Sequence, residues 1–135
     1  MKKIVLVLFA AWVLGCNSTT NLTGPHVDEA FQLGYGQSAT IQNSGLTITF
    51  IAVGEDSRCP QGAVCFWQGN AKIIIRILQT EAPQYSTLVT LNTTVAPKSV
   101  SYSEYDIRLL AVSPYPKLGE KLKPEDYSVK LIVSK

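Results

Sequence analysis

Apolar and polar residues alternate with a period of two along most of the chain after residue 27, which is the pattern of half-buried β-strands. The five clearest runs are Leu46–Ala52, Ala71–Leu78, Tyr85–Leu91, Tyr105–Ala111 and Tyr127–Val133, and three weaker runs are Phe31–Tyr35, Ser38–Ile41 and Val95–Tyr102. Most of their residues are β-branched, aliphatic or aromatic, and turn residues separate them. Since no window shows apolar residues at helical spacing over several turns, the pattern predicts about seven strands and no long helix.

Short strands without intervening helices are typical of antiparallel sandwiches and small barrels. We predict an all-β fold, an immunoglobulin-like antiparallel β-sandwich, in one domain over residues 28–135. Asn43-Ser44-Gly45 is the clearest hairpin turn, because glycine reaches positive φ at low cost. The connection Ser113–Asp126 is rich in proline and is expected to cross from one sheet to the other. One short helical turn is expected at Lys117–Leu122 or at Ser101–Tyr105.

The N-terminus has two lysines followed by an apolar run, Ile4–Leu14. This run is shorter than the roughly 20 residues that a transmembrane helix needs, and the combination is typical of an export signal. The end of the run, Val13-Leu14-Gly15-Cys16, resembles the lipobox of bacterial lipoproteins. The resemblance implies a signal peptide over residues 1–15, cleavage before Cys16, and acyl chains such as palmitate that anchor Cys16 in a membrane. The alternative is an ordinary secretory signal, for which no small-x-small cleavage site lies nearby.

Residues 16–27 are small and polar, so we expect them to form a flexible stalk between the lipid and the domain. Asn17 is not the aspartate that retains many lipoproteins at the inner membrane, which favours an outer-membrane location in the bacterial cell envelope. Two of the twelve basic residues lie in the leader, and the remaining ten balance ten acidic residues. A neutral domain gives no electrostatic reason to expect nucleic acid, and we expect the membrane to be contacted through the anchor alone.

The segment Glu55–Gly69 contains Cys59 and Cys65, the only cysteines besides Cys16. An even pair in an exported domain is expected to form a disulfide, which would close a ring of about seven residues and contribute roughly 2 to 2.5 kcal/mol. A metal site lacks ligands, because no histidine lies nearby, and we expect neither metal nor cofactor. A redox-active pair remains a weaker alternative.

The same segment reads Asp56-Ser57-Arg58-Cys59-Pro60, then Cys65, Trp67 and Gly69. It resembles a D-S-R-C-P…C-x-W-x-G segment of small bacterial lipoproteins and secreted proteins. The resemblance covers about fifteen residues and implies no particular activity.

Two interpretations of this segment stay open. In the first, Asp56 caps loop amides, Arg58 pairs with Asp56 or packs on an aromatic ring, and Trp67 covers the disulfide as part of the core. Ala71, Ile73 and Ile75 alternate with outward-facing residues, and if this alternation continues towards the N-terminus, Trp67 lies on the same inward face. In the second, Asp56, Arg58, Trp67 and Gln68 form a recognition patch at one end of the sandwich.

Catalysis finds little support, because the single histidine, His26, lies in the predicted stalk, and we expect no enzyme activity. The sequence therefore predicts a monomeric, lipid-anchored binding module of the cell envelope whose partner is a protein or a glycan. The alternative is an inhibitor or protective factor that presents the Cys59–Cys65 loop to a protease or toxin. An inhibitor requires Gln61–Phe66 to project with exposed apolar residues, whereas a module that binds through a sheet edge or face would bury that loop.

Overall fold

The computed structural model describes residues 24–135, which form eight β-strands in two antiparallel four-stranded sheets. The strands are β1 Ala30–Gly34, β2 Ser38–Ile41, β3 Leu46–Asp56, β4 Ala71–Gln79, β5 Ser86–Asn92, β6 Ser99–Tyr102, β7 Tyr105–Ser113 and β8 Ser128–Ser134. A 3₁₀ turn at Pro124–Asp126 precedes β8. Within residues 24–135, no helix has the length and apolar character needed to cross a membrane. The antiparallel β-sandwich is confirmed, with eight strands where the sequence predicted about seven.

The strand order is β1-β8-β7-β6 in one sheet and β2-β3-β4-β5 in the other. Every hydrogen-bonded pair except β1–β8 joins strands that follow each other in the chain. The chain is therefore an up-and-down meander. Immunoglobulin domains use Greek-key connections instead, so the strand order differs from the expected immunoglobulin-like connectivity. Links of two to six residues join β2 to β3, β4 to β5 and β6 to β7, and links this short favour hairpins. The connections from β3 to β4 and from β7 to β8 are longer, with fourteen residues each. The hairpin expected at Asn43-Ser44-Gly45 is confirmed, since it joins β2 to β3.

The connection between β7 and β8 differs from the prediction. It returns to the same sheet, because β8 pairs with β7, so the expected crossing between sheets at Ser113–Asp126 is wrong. The helical turn was also misplaced: it lies at Pro124–Asp126, and Ser103 at positive φ makes a tight turn between β6 and β7 instead. Proline excludes a segment from a sheet centre but does not say which strand the chain reaches next.

The inward faces of both sheets form one core. Its largest fully buried side chains are Phe50, Ile41, Leu46, Ile48, Ile73, Ile75, Ile77, Leu91, Ile107, Leu131, Val129 and Val133. In β7 the alternation changes phase at a bulge between Leu109 and Ala111, so Val112 is buried and Ala111 is exposed. The predicted inward face of Tyr105–Ala111 is therefore correct only as far as Leu109.

The connections between strands lie at two opposite ends of the sandwich, which we call the loop end and the entry end. The loop end contains the connections 57–70, 93–98 and 114–127, and the entry end contains the turns 42–45, 80–85 and 103–104. The described chain starts at the entry end, where Pro25 accepts a hydrogen bond from the Gln42 amide at 2.9 Å and Val27 packs against the core. The predicted stalk, 16–27, is thus too long, because residues 24–27 belong to the domain. Cys16 and residues 1–23 lie outside the described residues.

Candidate functional site

The disulfide loop, Ser57–Asn70, connects β3 to β4 at the loop end. Its two ends are hydrogen-bonded to each other: the Ser57 amide donates to the Asn70 carbonyl at 2.8 Å, and the Asn70 amide donates to Ser57 Oγ at 3.2 Å. These bonds extend the β3–β4 pairing by one step beyond Asp56 and Ala71. The loop therefore leaves the sandwich from a fixed base.

Gly69 is required at that base. Its φ is +68°, a region that residues with a Cβ rarely adopt. A Cβ at this position would overlap the Ser57 carbonyl oxygen and lie 2.6 Å from Arg58 Cα. The close approach of the two chain segments explains why the segment ends in glycine.

A buried ion pair between Asp56 and Arg58 lies directly beneath the loop. Arg58 Nε donates to Asp56 Oδ1 at 2.8 Å and Arg58 Nη2 donates to Oδ2 at 2.6 Å, which is a bidentate arrangement. The Arg58 amide also donates to Oδ1 at 3.2 Å. Both side chains are almost fully buried. This pairing was one of the two roles expected for Arg58.

The guanidinium also holds the connection between β7 and β8. Arg58 Nη1 donates to the Val112 carbonyl at 2.7 Å and Nη2 donates to the Pro114 carbonyl at 2.9 Å. Its central carbon lies 4.9 Å from the centroid of the Tyr115 ring, within the range of a cation–π contact. Arg58 thus joins the start of the disulfide loop to the neighbouring sheet.

Tyr127 completes the cluster, because its hydroxyl donates to Asp56 Oδ2 at 3.1 Å. Burial by itself raises the pKa of Asp56, but the hydrogen bonds and charge of Arg58, with the bond from Tyr127, outweigh it and lower that pKa. Burial and the adjacent Asp56 carboxylate raise the pKa of Tyr127. At neutral pH the carboxyl is therefore ionised and the phenol keeps its proton. Within the described residues, no buried side-chain nitrogen or oxygen lacks a hydrogen-bond partner.

Cys59 and Cys65 form the expected disulfide, with Cα atoms 5.9 Å apart. The ring that they close is docked on the β7–β8 connection through Gln61. Its amide donates to the Pro116 carbonyl at 2.9 Å, and its carbonyl accepts from the Leu118 amide at 3.0 Å. The first half of the ring is therefore fixed on one side by backbone hydrogen bonds.

Asn70 fixes the other side of the loop. Its side-chain oxygen accepts hydrogen bonds from the amides of Thr93 and Thr94, both at 3.1 Å, and its Nδ2 donates to Asn92 Oδ1 at 2.8 Å. The Thr94 hydroxyl donates to the Gly69 carbonyl at 2.7 Å. The connection after β5 thus supports the end of the disulfide loop.

The apolar tip of the loop, defined as Val64, Phe66 and Trp67, is exposed to solvent. The exposed fractions are 94%, 98% and 67% respectively. Leu118, on the β7–β8 connection that Gln61 contacts, is also exposed. Of the apolar residues inside the ring, Val64 alone is fully exposed, and Phe66 and Trp67 follow immediately after the disulfide.

The prediction that Trp67 belongs to the core is wrong. The positive φ at Gly69 ends the strand pleat, so the alternation of β4 does not continue back beyond Ala71. Parity arguments hold only along an unbroken strand. The Trp67 side chain is therefore free to face outwards.

The four residues of the predicted recognition patch are separated by burial. Asp56 and Arg58 are buried, whereas Trp67 and Gln68 are exposed, so the four side chains do not form one exposed patch. Gln68 and Arg58 line a hollow of about 290 Å³ together with Thr93, Thr94 and Tyr115. A larger hollow of about 610 Å³ lies at the entry end. The charged side chains that line it form ion pairs with each other, Glu104 with Lys135 and Asp106 with Arg108, so each charge already has a partner.

Two further kinds of site are not assembled within residues 24–135: a catalytic pair of carboxylates and a metal site. Glu55 and Asp56 lie at the loop end, whereas Glu104 and Asp106 lie at the entry end, so these carboxylates do not meet in a catalytic pair. Residues 24–135 bring together no group of three potential metal ligands. Cys16, the predicted lipidation site, lies outside the described residues.

Several residues of the site were not found from the sequence. Tyr115 and Tyr127 lie far along the chain from Arg58, and nothing in their local pattern indicates that they contact it. Phe66 and Val64 do have a signal in the sequence that points to an apolar loop: the stretch Cys59–Ala71 has no charged residue and contains adjacent aromatic side chains. Comparison with protein-family models, curated proteins and solved structures gives no significant match for this chain.

Proposed function

We propose that the protein is a lipid-anchored, non-catalytic binding module of the bacterial cell envelope, and that it docks a protein partner through the apolar tip. The observation that carries this proposal is the exposure of Val64, Phe66 and Trp67 on a loop whose base is fixed by a disulfide, a buried ion pair and backbone hydrogen bonds. The anchor rests on the lipobox-like sequence that ends at Cys16.

A fixed loop suits binding because it loses little conformational entropy when a partner associates with it. Exposed aromatic side chains are enriched among the residues that contribute most to interface affinity. The side chains of Val64 and Phe66 are 94% and 98% exposed, so a cleft on a partner can enclose them. The neighbouring exposed Leu118 extends an apolar surface, which favours a protein over a glycan as the ligand.

Photo-crosslinking tests this proposal directly. A benzophenone amino acid replaces Trp67 in the acylated protein, and crosslinking is carried out in intact envelopes. The control replaces Tyr85, an aromatic residue that is exposed to the same extent, 66%, but lies at the entry end. We expect a discrete adduct with one protein from position 67 that is absent from position 85. Equal labelling from both positions contradicts a specific docking surface.

The anchor is tested by Cys16→Ser. We expect this variant to lose labelling by radioactive palmitate and either to keep its uncleaved leader or to leave the membrane fraction, while the wild type is labelled and sediments with membranes. A wild-type protein that is soluble and has an unmodified N-terminus contradicts the lipoprotein assignment.

The second candidate function is inhibition of a protease or toxin. The specific observation in its favour is that the disulfide loop exposes the apolar side chains of Val64 and Phe66, as an inhibitor loop requires. If this function is correct, the protein found in the Trp67 adduct is an enzyme. Its activity then falls on addition of the wild type, and falls much less on addition of Phe66→Ser.

A further inference from the structure

The chain enters the domain at the end opposite the apolar tip. Pro25 accepts its hydrogen bond from Gln42, immediately after β2, and the Asp28 amide donates to the Val133 carbonyl at 2.7 Å near the end of β8. The disulfide loop follows Asp56, the last residue of β3. β3 connects the two ends, and two bulges place its eleven residues opposite only nine residues of β4. The eight steps along β4, at about 3.3 Å each, separate the two ends by roughly 26 Å.

The length of chain before the domain limits how the domain can sit on a membrane. Eight peptide steps separate Cys16 from Gly24, and a fully extended chain of that length reaches at most about 28 Å. An inverted domain, with the tip in the bilayer, would need this segment to span the whole sandwich and the loop as well. Fully extended, the segment is only about as long as the strands, so no length remains to span the loop that carries the tip.

The charge around the tip gives no attraction to an anionic surface. No charged residue occurs from Cys59 to Ala71. Three lysines lie on the adjacent β7–β8 connection, but three acidic residues on the same connection balance them; these residues are Lys117, Lys121, Lys123, Glu120, Glu125 and Asp126. Membrane-binding surfaces usually combine apolar side chains with an excess of positive charge. The tip has the first feature and lacks the second.

We infer that the apolar tip points away from the anchoring bilayer and docks a protein that presents an uncharged apolar cleft on the aqueous side. This inference rests on the proposed function, because it takes Cys16 as the anchor and the tip as the contact surface. Phe66 and Trp67 enter the cleft, and Leu118 contacts its rim. Since the tip carries no charge, ionic strength has little effect on the affinity.

The orientation is tested with the acylated protein in vesicles of phosphatidylethanolamine and phosphatidylglycerol. Trp67 reports on the tip specifically, because the only other tryptophan, Trp12, is removed with the leader. We expect acrylamide in the buffer to quench Trp67 strongly and brominated acyl chains in the bilayer to leave its emission unchanged. Quenching by brominated lipid overturns the inference and identifies the bilayer as the ligand of the tip. Protein that does not float with the vesicles contradicts the anchor itself, and with it the orientation.

The chemistry of the partner is tested with the protein identified in the Trp67 adduct, purified and titrated against the full mature chain. Trp67→Ser and Phe66→Ser are expected to weaken binding about tenfold or more, and Tyr85→Ser to leave it unchanged. The affinity of the wild type should change little between low and high salt. A strong salt dependence, or equal binding by wild type and Trp67→Ser, overturns the inference. Circular dichroism of the three serine variants confirms that they are folded.

Discussion

Replacement of Arg58 by methionine tests the physical account of the site most directly. Arg58→Met keeps an unbranched apolar chain in place of the arginine stem and removes the guanidinium. The variant loses both bonds to the Asp56 carboxylate and the bonds to the carbonyls of Val112 and Pro114. Asp56 then stays buried with only the Tyr127 hydroxyl and the loop amide as partners.

The expected loss of stability follows from the burial of the pair. Removing one partner of a buried ion pair typically costs about 3 to 5 kcal/mol, because the remaining charge is left without compensation. A domain of this size has a total stability of about 5 to 15 kcal/mol. The loss corresponds to a decrease in Tm of about 12 to 25 °C, which thermal unfolding followed by circular dichroism measures easily.

The pH dependence gives the result its specificity. In the wild type the pKa of Asp56 is lower in the folded state than in the unfolded chain, so its contribution is present above the unfolded pKa and is lost as the pH falls through the folded pKa. In Arg58→Met, burial raises the folded pKa instead. Protonation of Asp56 then removes the uncompensated charge from the folded variant. The difference in free energy of unfolding between the variant and the wild type should therefore shrink by at least about 1 kcal/mol between neutral pH and about pH 4.

Two further variants separate this explanation from a general loss of packing. Asp56→Asn combined with Arg58→Met removes the uncompensated charge, so the double variant should be more stable than Arg58→Met alone. Arg108→Met is the control, because the Arg108 side chain is 61% exposed and 3.8 Å from Asp106, and it should cost less than about 1 kcal/mol. An Arg58→Met protein that is as stable as the wild type, or a deficit that is independent of pH, refutes the reasoning.

Three other predictions concern the disulfide loop. Cys65→Ser should lower the free energy of unfolding by about 2 kcal/mol, as measured by denaturant unfolding, because the ring is small; a loss above about 4 kcal/mol would mean that the disulfide also supports the core. Gly69→Ala should cost at least about 2 kcal/mol from backbone strain and overlap with Ser57, whereas Gly36→Ala, at φ +73° with open space around it, should cost only about 1 kcal/mol. Trp67→Ala should change stability by less than about 0.5 kcal/mol, and the wild type should emit at long wavelength, since the indole is exposed; short-wavelength emission would contradict the exposed tip.

The sequence predicts the strands well because the period of two is a local property. The inward faces of β4 and β8 are as expected, with Ile73, Ile75 and Ile77 in one and Val129, Leu131 and Val133 in the other. Each of these strands is regular over its length, so the polar and apolar positions report directly on burial. The order of the strands in the two sheets cannot be predicted in this way, because it depends on contacts between distant segments that alternation does not encode.

The errors at the site have the same origin. Trp67 was assigned to the core by extending the parity of β4 through Gly69, and one residue at positive φ was enough to break the pattern. The pairing of Asp56 with Arg58 was foreseen because the residues are two positions apart. The contacts of Arg58 with Val112 and Pro114 span more than fifty residues, and no local signal indicates them.

The segment Asp56–Gly69 divides into a frame and a tip, and the division has a consequence for function. The frame residues Asp56, Arg58 and Gly69 have clear structural roles, since they form buried contacts or a required backbone turn. Phe66 and Trp67 have no such role, because their side chains face solvent. A substitution in the frame should therefore reduce stability and binding together, whereas a substitution in the tip should reduce binding and leave stability unchanged. A loop whose sequence served the fold alone would have no reason to place adjacent aromatic residues in water, since apolar exposure of that kind favours association.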